Sequence, residues 1–388
     1  MRKRVYLDWN ATTPLRCEAR EAMAATWELC GNPSSVHAEG RQARRLVEEA
    51  RAALAGAVGA LARNLVFTSS GTEANALALT PGLRTVSRGP VQRLLASAVE
   101  HASVLSGGRF APKAVANIDV TRSGVVDLDH LRRQLALGTP ALVSIMAANN
   151  ETGALQPVGE AAELVHAAGG LLHVDAIQAL GKTPLNINAI GADLMTLSAH
   201  KIGGPKGVGA LVVAEGVRGL EPLLRGGGQE LGRRAGTENV AGIAGFAAAV
   251  RAAMAAREAE TAHMKLLQKR LEQGLRQTEG LIVFCDDVPR LPNTTLFSAS
   301  GLKAETAVIG FDLAGIAVSS GAACSSGKVQ PSHVLQAMGF VHQLAQGAVW
   351  LSLGWSTSEA EIDSCVKAWR KLASTLLKGS DETLLERF

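Results

Sequence analysis

The sequence predicts an α/β fold in which helices cover both faces of a mostly parallel β-sheet. Short apolar runs, which are typical of buried strands, recur along the chain as far as Val213, and helical patterns lie between several of them. With 388 residues, of which 47% are hydrophobic, the chain is long enough for a large domain and a smaller companion.

The part of the chain before residue 240 supplies the predicted sheet. A first short strand at 5–8 ends in a polar turn, Asn10–Pro14. Seven further strands are predicted at 65–67, 93–98, 114–118, 141–146, 171–174, 194–197 and 208–213. Helices are predicted at 15–28, 37–58, 74–79, 128–137 and 158–168, between and before these strands.

A second, smaller domain is predicted from the remainder of the chain. A helical pattern runs from Val240 to about Gln277 and carries charges in its second half, as a helix that links two domains would. Short strands at 282–284, 293–297 and 318–319 and helices at 331–338 and 359–377 follow. We therefore expect a large domain at residues 15–257 and a small α+β domain formed by residues 1–14 and 258–388.

The composition argues against several classes of protein. The formal net charge is only +4 and the longest basic run is Arg2–Arg4, so no nucleic-acid interface is predicted. No stretch approaches the roughly 20 uninterrupted apolar residues of a membrane span. The five cysteines are widely spaced without a Cys-x-x-Cys motif, which argues against a disulfide framework and a structural zinc site. We expect a soluble, cytoplasmic protein without a metal.

Polar side chains follow two of the predicted strands, at 175–178 and 198–201. The first strand delivers an acid, Asp175, and the second delivers an amine, Lys201. Such a pair suits pyridoxal phosphate, because the amine forms a Schiff base with the aldehyde and the carboxylate pairs with the ring nitrogen. A salt bridge at the sheet edge is the alternative. The other polar residues delivered there are Gln178, Ser198 and His200.

Three further segments carry groups that such a cofactor would use. The turn Thr68–Glu73 lies between a strand and a helix, where backbone N–H groups bind phosphate, although an ordinary helix cap is the alternative. His101 follows a strand and can shuttle protons near neutral pH, although a structural histidine gives the same pattern. Asn149–Gly153 by itself predicts only a turn.

Cys324 has an unusual sequence context. It lies within Ser319–Gly327, among serine, glycine and alanine, whereas a buried structural cysteine normally has apolar neighbours. This context favours a thiol on an exposed loop, from which a thiolate can attack. The other four cysteines carry no predicted role.

Taken in order, these segments resemble the cysteine desulfurases of NifS/IscS type, in the class V branch of the aminotransferase fold. The segments that carry the resemblance extend over nearly the whole chain: residues 6–14, 31–35, 68–75, 99–101, 149–153, 173–178, 198–201, 204–209, 233–239 and 319–327. The resemblance implies a fold-type I pyridoxal-phosphate enzyme, with a seven-stranded, mostly parallel sheet in its large domain.

The resemblance also implies roles for residues around the cofactor. Lys201 would hold pyridoxal 5′-phosphate as a Schiff base and move protons afterwards. Asp175 would keep the ring nitrogen protonated, and His101 would stack on the ring and act as acid and base. Gln178 and Asn150 would hydrogen-bond the ring hydroxyl, with Asn150 also near the substrate carboxylate.

Further roles are implied at the phosphate, the substrate and the sulfur. Gly71, Thr72, Ser198 and His200 would hold the phosphate, and Asn32 would help to bind the substrate. In this family a threonine at the place of Thr237 reaches the phosphate of the neighbouring subunit, which implies a homodimer. Cys324 would attack the sulfur of L-cysteine and leave a persulfide and free L-alanine. A sulfur-acceptor or scaffold protein, for iron–sulfur cluster or thio-cofactor assembly, would then take the sulfur.

One departure from the family pattern concerns the substrate carboxylate. The family usually has an arginine where this chain has Trp350, and a second frequent arginine is replaced by Trp355. An indole N–H is one neutral donor, whereas a guanidinium makes a charged contact at two points. The candidates to compensate, in segments near the site in this family, are Arg225, Arg233 and Arg234.

Two alternative functions stay open at this point. Trp350 favours a related pyridoxal-phosphate lyase or aminotransferase that acts on a different amino acid. A weakly active protein that serves as partner of an active desulfurase is the other alternative. The presence of Lys201, Asp175, His101 and Cys324 argues against it, because a protein released from catalysis need not keep all four.

Overall fold

Two β-sheets, connected by one long helix, form the framework of the protein. A computed structural model describes residues 4–321 and 330–377. The larger sheet has seven strands and the smaller has four, and two further short strands pair with each other.

The elements follow one another along the chain in a largely alternating order. The strands are β1 (Val5–Tyr6), β2 (Leu65–Thr68), β3 (Arg93–Ser97), β4 (Val115–Ile118), β5 (Ala141–Met146), β6 (Leu171–Asp175), β7 (Leu194–Ser198), β8 (Gly209–Val213), β9 (Leu281–Val283), β10 (Thr294–Ala299), β11 (Ile316–Ala317), β12 (Ser319–Ser320) and β13 (Val349–Ser352). The helices are α1 (Cys17–Trp27), α2 (Ala38–Ala57), α3 (Gly71–Ala78), α4 (Ala102–Leu105), α5 (Leu128–Leu135), α6 (Val158–Ala167), α7 (Ile187–Ile190), α8 (Val240–Leu275), α9 (Ala304–Leu313), α10 (His333–Ala337), α11 (His342–Gln346) and α12 (Glu359–Leu376).

The seven-stranded sheet has the strand order β2-β8-β7-β6-β5-β3-β4. Its neighbouring strands are parallel, except that β8 runs antiparallel to both β7 and β2. Every residue of β5, β6 and β7 is buried, as expected for aliphatic strands covered on both faces. The predicted α/β fold with seven mostly parallel strands is confirmed, and the observed strand ends lie within one residue of the predicted ones.

The order of the strands brings three strand ends to one edge of this sheet. β6 and β7 are parallel neighbours, with Asp175 in register with Thr196. Gly209, at the start of β8, pairs with Thr68 on one side and with Ser198 on the other. The polar residues that follow β2, β6 and β7 therefore meet at the same place.

The smaller sheet is antiparallel and has the order β12-β13-β10-β9. Its strand β13 was not predicted, because its four residues form a short run whose strand conformation depends on pairing with β10 and β12. Trp350 of β13 lies opposite Leu296 of β10 and Ser319 of β12. β1 joins this part of the molecule, since Val5 pairs in parallel with Ile316 of β11.

Helix α8 contributes to the cores beside both sheets. Phe246 and Val250 of its first half pack in the core of the large sheet, and Leu271 and Leu275 of its second half pack in the core of the small one. Among the residues described, α8 alone has the length and hydropathy to cross a membrane, but 56% of its most apolar window is buried inside the protein, as in a core helix. The predicted domain division at residue 257 stays a prediction.

Several short helices and α9 were not predicted from the sequence. α9 has no side-chain cap at Lys303, so the usual signal of a helix start is missing. Its buried residues, Ala304, Ala307 and Phe311, show instead that tertiary packing against the small sheet stabilises it.

Two leucines in the second half of α8 provide a matched test of this packing. Leu271→Ala, at a fully buried position, should lower the free energy of unfolding by about 2–5 kcal/mol, because it leaves a cavity in the small-sheet core. Leu266→Ala removes the same atoms from a side chain that is 71% exposed. This variant should change the free energy of unfolding by less than about 0.5 kcal/mol. Urea unfolding of the two variants measures both; equal losses would contradict the packing described here.

Candidate active site

A cavity of about 320 Å³ opens where β2, β6 and β7 end, and we refer to it as the pocket. Nine of the residues predicted from the sequence line it: Gly71, Thr72, His101, Asn150, Asp175, Gln178, Ser198, His200 and Lys201. These residues come from separate segments of the chain, and the strand order of the large sheet brings them together. Trp350, from the small sheet, lines the same pocket.

Lys201 supplies the amine of the pocket from a short 3-10 turn that follows β7. Its Nζ donates to the carbonyl oxygen of Ala11 at 2.8 Å and also to that of Asn10. Burial lowers the pKa of Lys201 to about 8, against about 10.4 for an ordinary lysine. The neutral, nucleophilic fraction of this amine near neutral pH is therefore much larger than that of an ordinary lysine, although the protonated form still predominates at pH 7.

Asp175 supplies a buried carboxylate at the end of β6, and its side chain is only 5% exposed. Asn75 Nδ2 donates to its Oδ2 at 2.8 Å, and the backbone N–H of Ile177 donates to its Oδ1 at 3.0 Å. Burial raises the pKa of Asp175, although these two hydrogen bonds act against that effect. A positively charged partner in the pocket would stabilise the ionised form.

His101 is connected to Asp175 through two residues that the sequence analysis missed. Asn75 Nδ2 also donates to Ser103 Oγ at 2.9 Å, and that hydroxyl lies 2.8 Å from His101 Nδ1. The backbone N–H of Ser103 donates to the same Nδ1 at 3.1 Å, so Nδ1 is an acceptor and the neutral ring carries its proton on Nε2. Desolvation lowers the pKa of His101, which favours this neutral form.

One end of the pocket suits an anion, and the first turn of α3 forms it. Ser70 caps the helix by accepting the N–H of Glu73 at 3.1 Å, and the backbone N–H groups of the first turn have no partner within the helix. Ser198 Oγ is buried and has no hydrogen-bond partner in the described chain. A Cβ at Gly71 would lie 2.3 Å from Ile177 Cδ1, so a larger residue there would force the end of the isoleucine side chain to move.

His200 completes that end of the pocket as a neutral group. Burial and the charge of Lys201 lower the pKa of His200 to about 4. Its Nδ1 lies 3.3 Å from Thr12 Oγ1, a contact that ties the polar turn after β1 to the end of β7.

Asn10 connects Gln178 and Asn150, a role that the sequence alone does not predict. Its carbonyl oxygen accepts the side-chain amide of Gln178 at 3.0 Å, and its Nδ2 donates to the carbonyl oxygen of Asn150 at 2.9 Å. Asn10 lies in one of the segments that carried the resemblance, and an isolated asparagine in a turn gives no signal beyond that.

Two predicted site residues do not line the pocket, and a third lies outside the described residues. Asn32 is exposed, and its Oδ1 accepts the N–H of Ser34 at 2.9 Å within its own turn. Thr237 is exposed, as a residue that contacts a neighbouring subunit would be in an isolated chain. Cys324 lies outside the described residues. The roles of all three stay predictions.

No arginine is among the described residues that line the pocket. Arg234 pairs with Glu73 at 3.0 Å, Arg225 pairs with Glu221 at 3.6 Å, and Arg233 lines a different cavity, so none of the three candidates replaces the missing guanidinium within this chain. The indole Nε1 of Trp350 is buried and has no hydrogen-bond partner among the residues described.

Comparison with known proteins decides the family. Residues 5–365 match the aminotransferase class-V family. The chain belongs to this family. It is 45% identical over 369 residues to the cysteine desulfurase of Cereibacter sphaeroides, with 93% of each chain covered. It is 38% identical over 384 residues to the cysteine desulfurase IscS of Dictyoglomus turgidum, covering 97% of this chain and 96% of the relative.

A solved structure gives the same result for the fold. The NifS-like protein from Rickettsia africae superimposes with a TM-score of 0.87 at 36% identity, covering 96% of this chain and 99% of that chain. The predicted resemblance to the NifS/IscS type and the predicted fold-type I architecture are therefore confirmed.

The residues of the pocket fit pyridoxal 5′-phosphate, on which this family depends. Ser198 offers an unpaired buried hydroxyl and the start of α3 offers free N–H groups, both suited to a phosphate. The buried carboxylate of Asp175 suits a protonated ring nitrogen, and the amine of Lys201 suits an aldehyde. Within residues 4–321 and 330–377 no group of three or more His, Cys, Asp or Glu side chains could hold a metal ion.

The lowered pKa of Lys201 predicts how the cofactor-free protein reacts with an amine reagent. Modification of Lys201 should be slow at pH 6, where the amine is protonated, should reach half its maximal rate near pH 8, and should reach a plateau above about pH 9, where the amine is mostly neutral. Mass mapping of the modified peptide across this pH range measures the pH at which modification of Lys201 is half-maximal, and Lys201→Ala is the control. A midpoint near the ordinary lysine value of about 10.4 would contradict the burial described here.

Proposed function

We propose that the protein is a pyridoxal-phosphate-dependent cysteine desulfurase that converts L-cysteine to L-alanine and takes up the sulfur on Cys324. The observation that carries the proposal is the meeting of Lys201, Asp175 and His101 in one pocket, in a chain whose relatives are named cysteine desulfurases. The comparisons add no support to the alternative that Trp350 suggested, a lyase or aminotransferase for another amino acid, or to a weakly active partner protein.

In this proposal, the groups that line the pocket hold the cofactor. The N–H groups of Gly71 and Thr72 and the hydroxyl of Ser198 bind the phosphate, and His200 stays neutral beside them. Asp175 binds the ring nitrogen, and the hydrogen bonds from Asn75 and Ile177 hold its carboxylate in place. Bound in this way, pyridoxal phosphate supplies an electron sink that makes the Cα proton and the C–S bond of the substrate labile.

Lys201 and His101 carry out the proton transfers. Because burial keeps the Lys201 pKa near 8, its Nζ can accept a proton from the substrate and return it within the same pH range. The carbonyl oxygens of Asn10 and Ala11 fix the position of Nζ. Ser103 holds His101 Nδ1, which leaves the proton on Nε2 available to the reacting groups.

Sulfur transfer requires a thiolate from Cys324. Its sulfur attacks the sulfur of the substrate, so that an S–S bond forms while the C–S bond breaks and its electron pair goes to the carbon side. The carbon then takes up a proton and leaves as the methyl group of alanine. The enzyme keeps a persulfide, and no external oxidant or reductant is consumed in this step.

Partners and compartment form part of the same proposal. The name IscS of one relative supports an acceptor or scaffold protein of iron–sulfur cluster or thio-cofactor assembly. The exposure of Thr237 supports a homodimer in which this residue reaches the phosphate of the neighbouring subunit. The free cysteines of the described chain, which are Cys17, Cys30, Cys285 and Cys365, support a reducing, cytoplasmic compartment.

Replacement of Cys324 tests the proposed reaction. Wild-type holoenzyme should change its visible spectrum with L-cysteine and form alanine. Cys324→Ala should still show the spectral change, because substrate binding does not need the thiol, but its rate of alanine formation should fall by at least about two orders of magnitude. Cys30→Ala, at an exposed cysteine without a proposed role, is the matched control. Unchanged alanine formation in Cys324→Ala would exclude this cysteine as the nucleophile.

An arginine placed at position 350 tests how the pocket binds the substrate carboxylate. Trp350→Arg should lower the KM for L-cysteine by about tenfold to a hundredfold, because a charged pair with the carboxylate replaces a neutral indole. Trp350→Phe keeps an aromatic ring without a donor and should leave KM near that of the wild type. Steady-state kinetics with each variant measure the effect. A KM that Trp350→Arg leaves unchanged would show that another group already binds the carboxylate.

A further inference from the structure

A second lysine, Lys182, lies directly behind the pocket and has no part in the reaction described above. Its Nζ donates to the carbonyl oxygen of Gln178 at 3.0 Å and to the side-chain Oε1 of Gln178 at 3.1 Å. Lys182 does not line the pocket, but it shares a cavity of about 20 Å³ with Lys201, which is room for about one water molecule.

The side-chain amide of Gln178 has a single orientation that suits both of its neighbours. The carbonyl oxygen of Asn10, at 3.0 Å, can only accept, so the edge of the amide that faces it is Nε2. The ammonium of Lys182 donates, so the opposite edge is Oε1. A reversed amide would place two carbonyl oxygens against each other and an NH₂ group against an amine. The two contacts therefore give the same assignment independently.

This orientation determines what Gln178 offers to the pocket that it lines. Its Nε2 carries a second hydrogen besides the one that Asn10 accepts, so Gln178 presents a donor. A hydrogen-bond donor stabilises the ionised form of a ring hydroxyl more than its protonated form. Without Lys182, Oε1 would lose its partner and only the contact with Asn10 would hold the amide, so the preference for the observed orientation over the reversed one would be weaker.

We propose that Lys182 is a positioning residue that fixes the amide of Gln178 with its N–H toward the pocket, and thereby favours the ionised form of the cofactor's ring hydroxyl. The inference rests on the proposed function in one respect, since it requires pyridoxal phosphate in the pocket. It does not require that cysteine be the substrate.

The surroundings of Lys182 are consistent with a positioning role. The charged groups that border the same small cavity are Lys201, Arg16 and Glu260, and Arg16 is already paired with Glu260 at 2.7 Å. Burial, assisted by the charge of Lys201, lowers the pKa of Lys182 to about 7. Loss of its proton leaves a neutral amine that still donates two hydrogens, so the contact with Oε1 persists on both sides of this pKa.

The test uses Lys182→Met, which keeps the aliphatic stem and removes the donor, together with Gln178→Ala and the double variant. Two quantities are measured at fixed pH: the visible absorption spectrum of the holoenzyme, and the dissociation constant of pyridoxal phosphate from the apoprotein. Lys182→Met should shift absorbance toward the shorter-wavelength band of the protonated ring hydroxyl and weaken cofactor binding about fivefold, as the loss of one hydrogen bond predicts.

The double variant separates this role from a merely structural one. If Lys182 acts through Gln178, Lys182→Met should add nothing to the spectrum or the affinity of Gln178→Ala. Lys182→Arg, which keeps a donor, should restore the wild-type spectrum. Should Lys182→Met fail to fold, Gln178→Glu carries the test, because it keeps an acceptor for Lys182, removes the donor and should give the same spectral shift.

Three results would overturn the inference. The first is a wild-type spectrum in Lys182→Met or, where that variant does not fold, in Gln178→Glu. The others are additive effects in the double variant and a wild-type spectrum in Gln178→Ala. An apoprotein that takes up no pyridoxal phosphate would overturn this inference and the proposed function together. A yellow holoenzyme that makes no alanine from cysteine would overturn the proposed function alone, and the spectral comparison would still decide the role of Lys182.

Discussion

The hydrogen bonds of Asn10 hold the two sheets in the relation that the pocket requires. On the small-sheet side, its backbone N–H donates to Ser352 Oγ at 2.9 Å and its Nδ2 donates to Thr294 Oγ1 at 2.8 Å. On the large-sheet side, its carbonyl oxygen accepts from Gln178 and Lys201. Asn10 is only 3% exposed, and a buried polar group left unpaired costs about 1–3 kcal/mol, so a displacement of one sheet relative to the other would be opposed at several points at once.

Burial drives the charged groups of this region toward their neutral forms. It raises the pKa of Asp175 and that of Glu100, whose Oε2 has no partner within the described residues. It lowers the pKa of Lys201 and that of His200. A ring nitrogen that carries a proton and a phosphate that carries negative charge would supply the missing counter-charges. The protein alone therefore presents a pocket whose electrostatics are completed by the cofactor proposed here.

The sequence predicted the large sheet well because a buried parallel strand is defined by its own apolar residues and by the polar residues that end it. Asp175 and Lys201 were identified in this way, directly at the ends of β6 and β7. Asn75 and Ser103 could not be identified, because their importance lies in hydrogen bonds between segments that are far apart in the chain. β13 was missed for a related reason, since its pairing partners rather than its residues make it a strand.

Trp350 belongs to a different sheet from the residues assigned to the cofactor, and this division allows position 350 to differ without a change on the cofactor side. The groups assigned to the cofactor follow strands of the seven-stranded sheet, whereas Trp350 belongs to β13 of the four-stranded sheet. A change at β13 therefore leaves the groups around Asp175 and Lys201 intact. The indole Nε1 of Trp350 has no partner in the described structure, so it offers a substrate one neutral donor in place of the charged contact of an arginine. We therefore expect this change to affect the affinity for the substrate carboxylate and to leave the residues assigned to proton transfer unaffected.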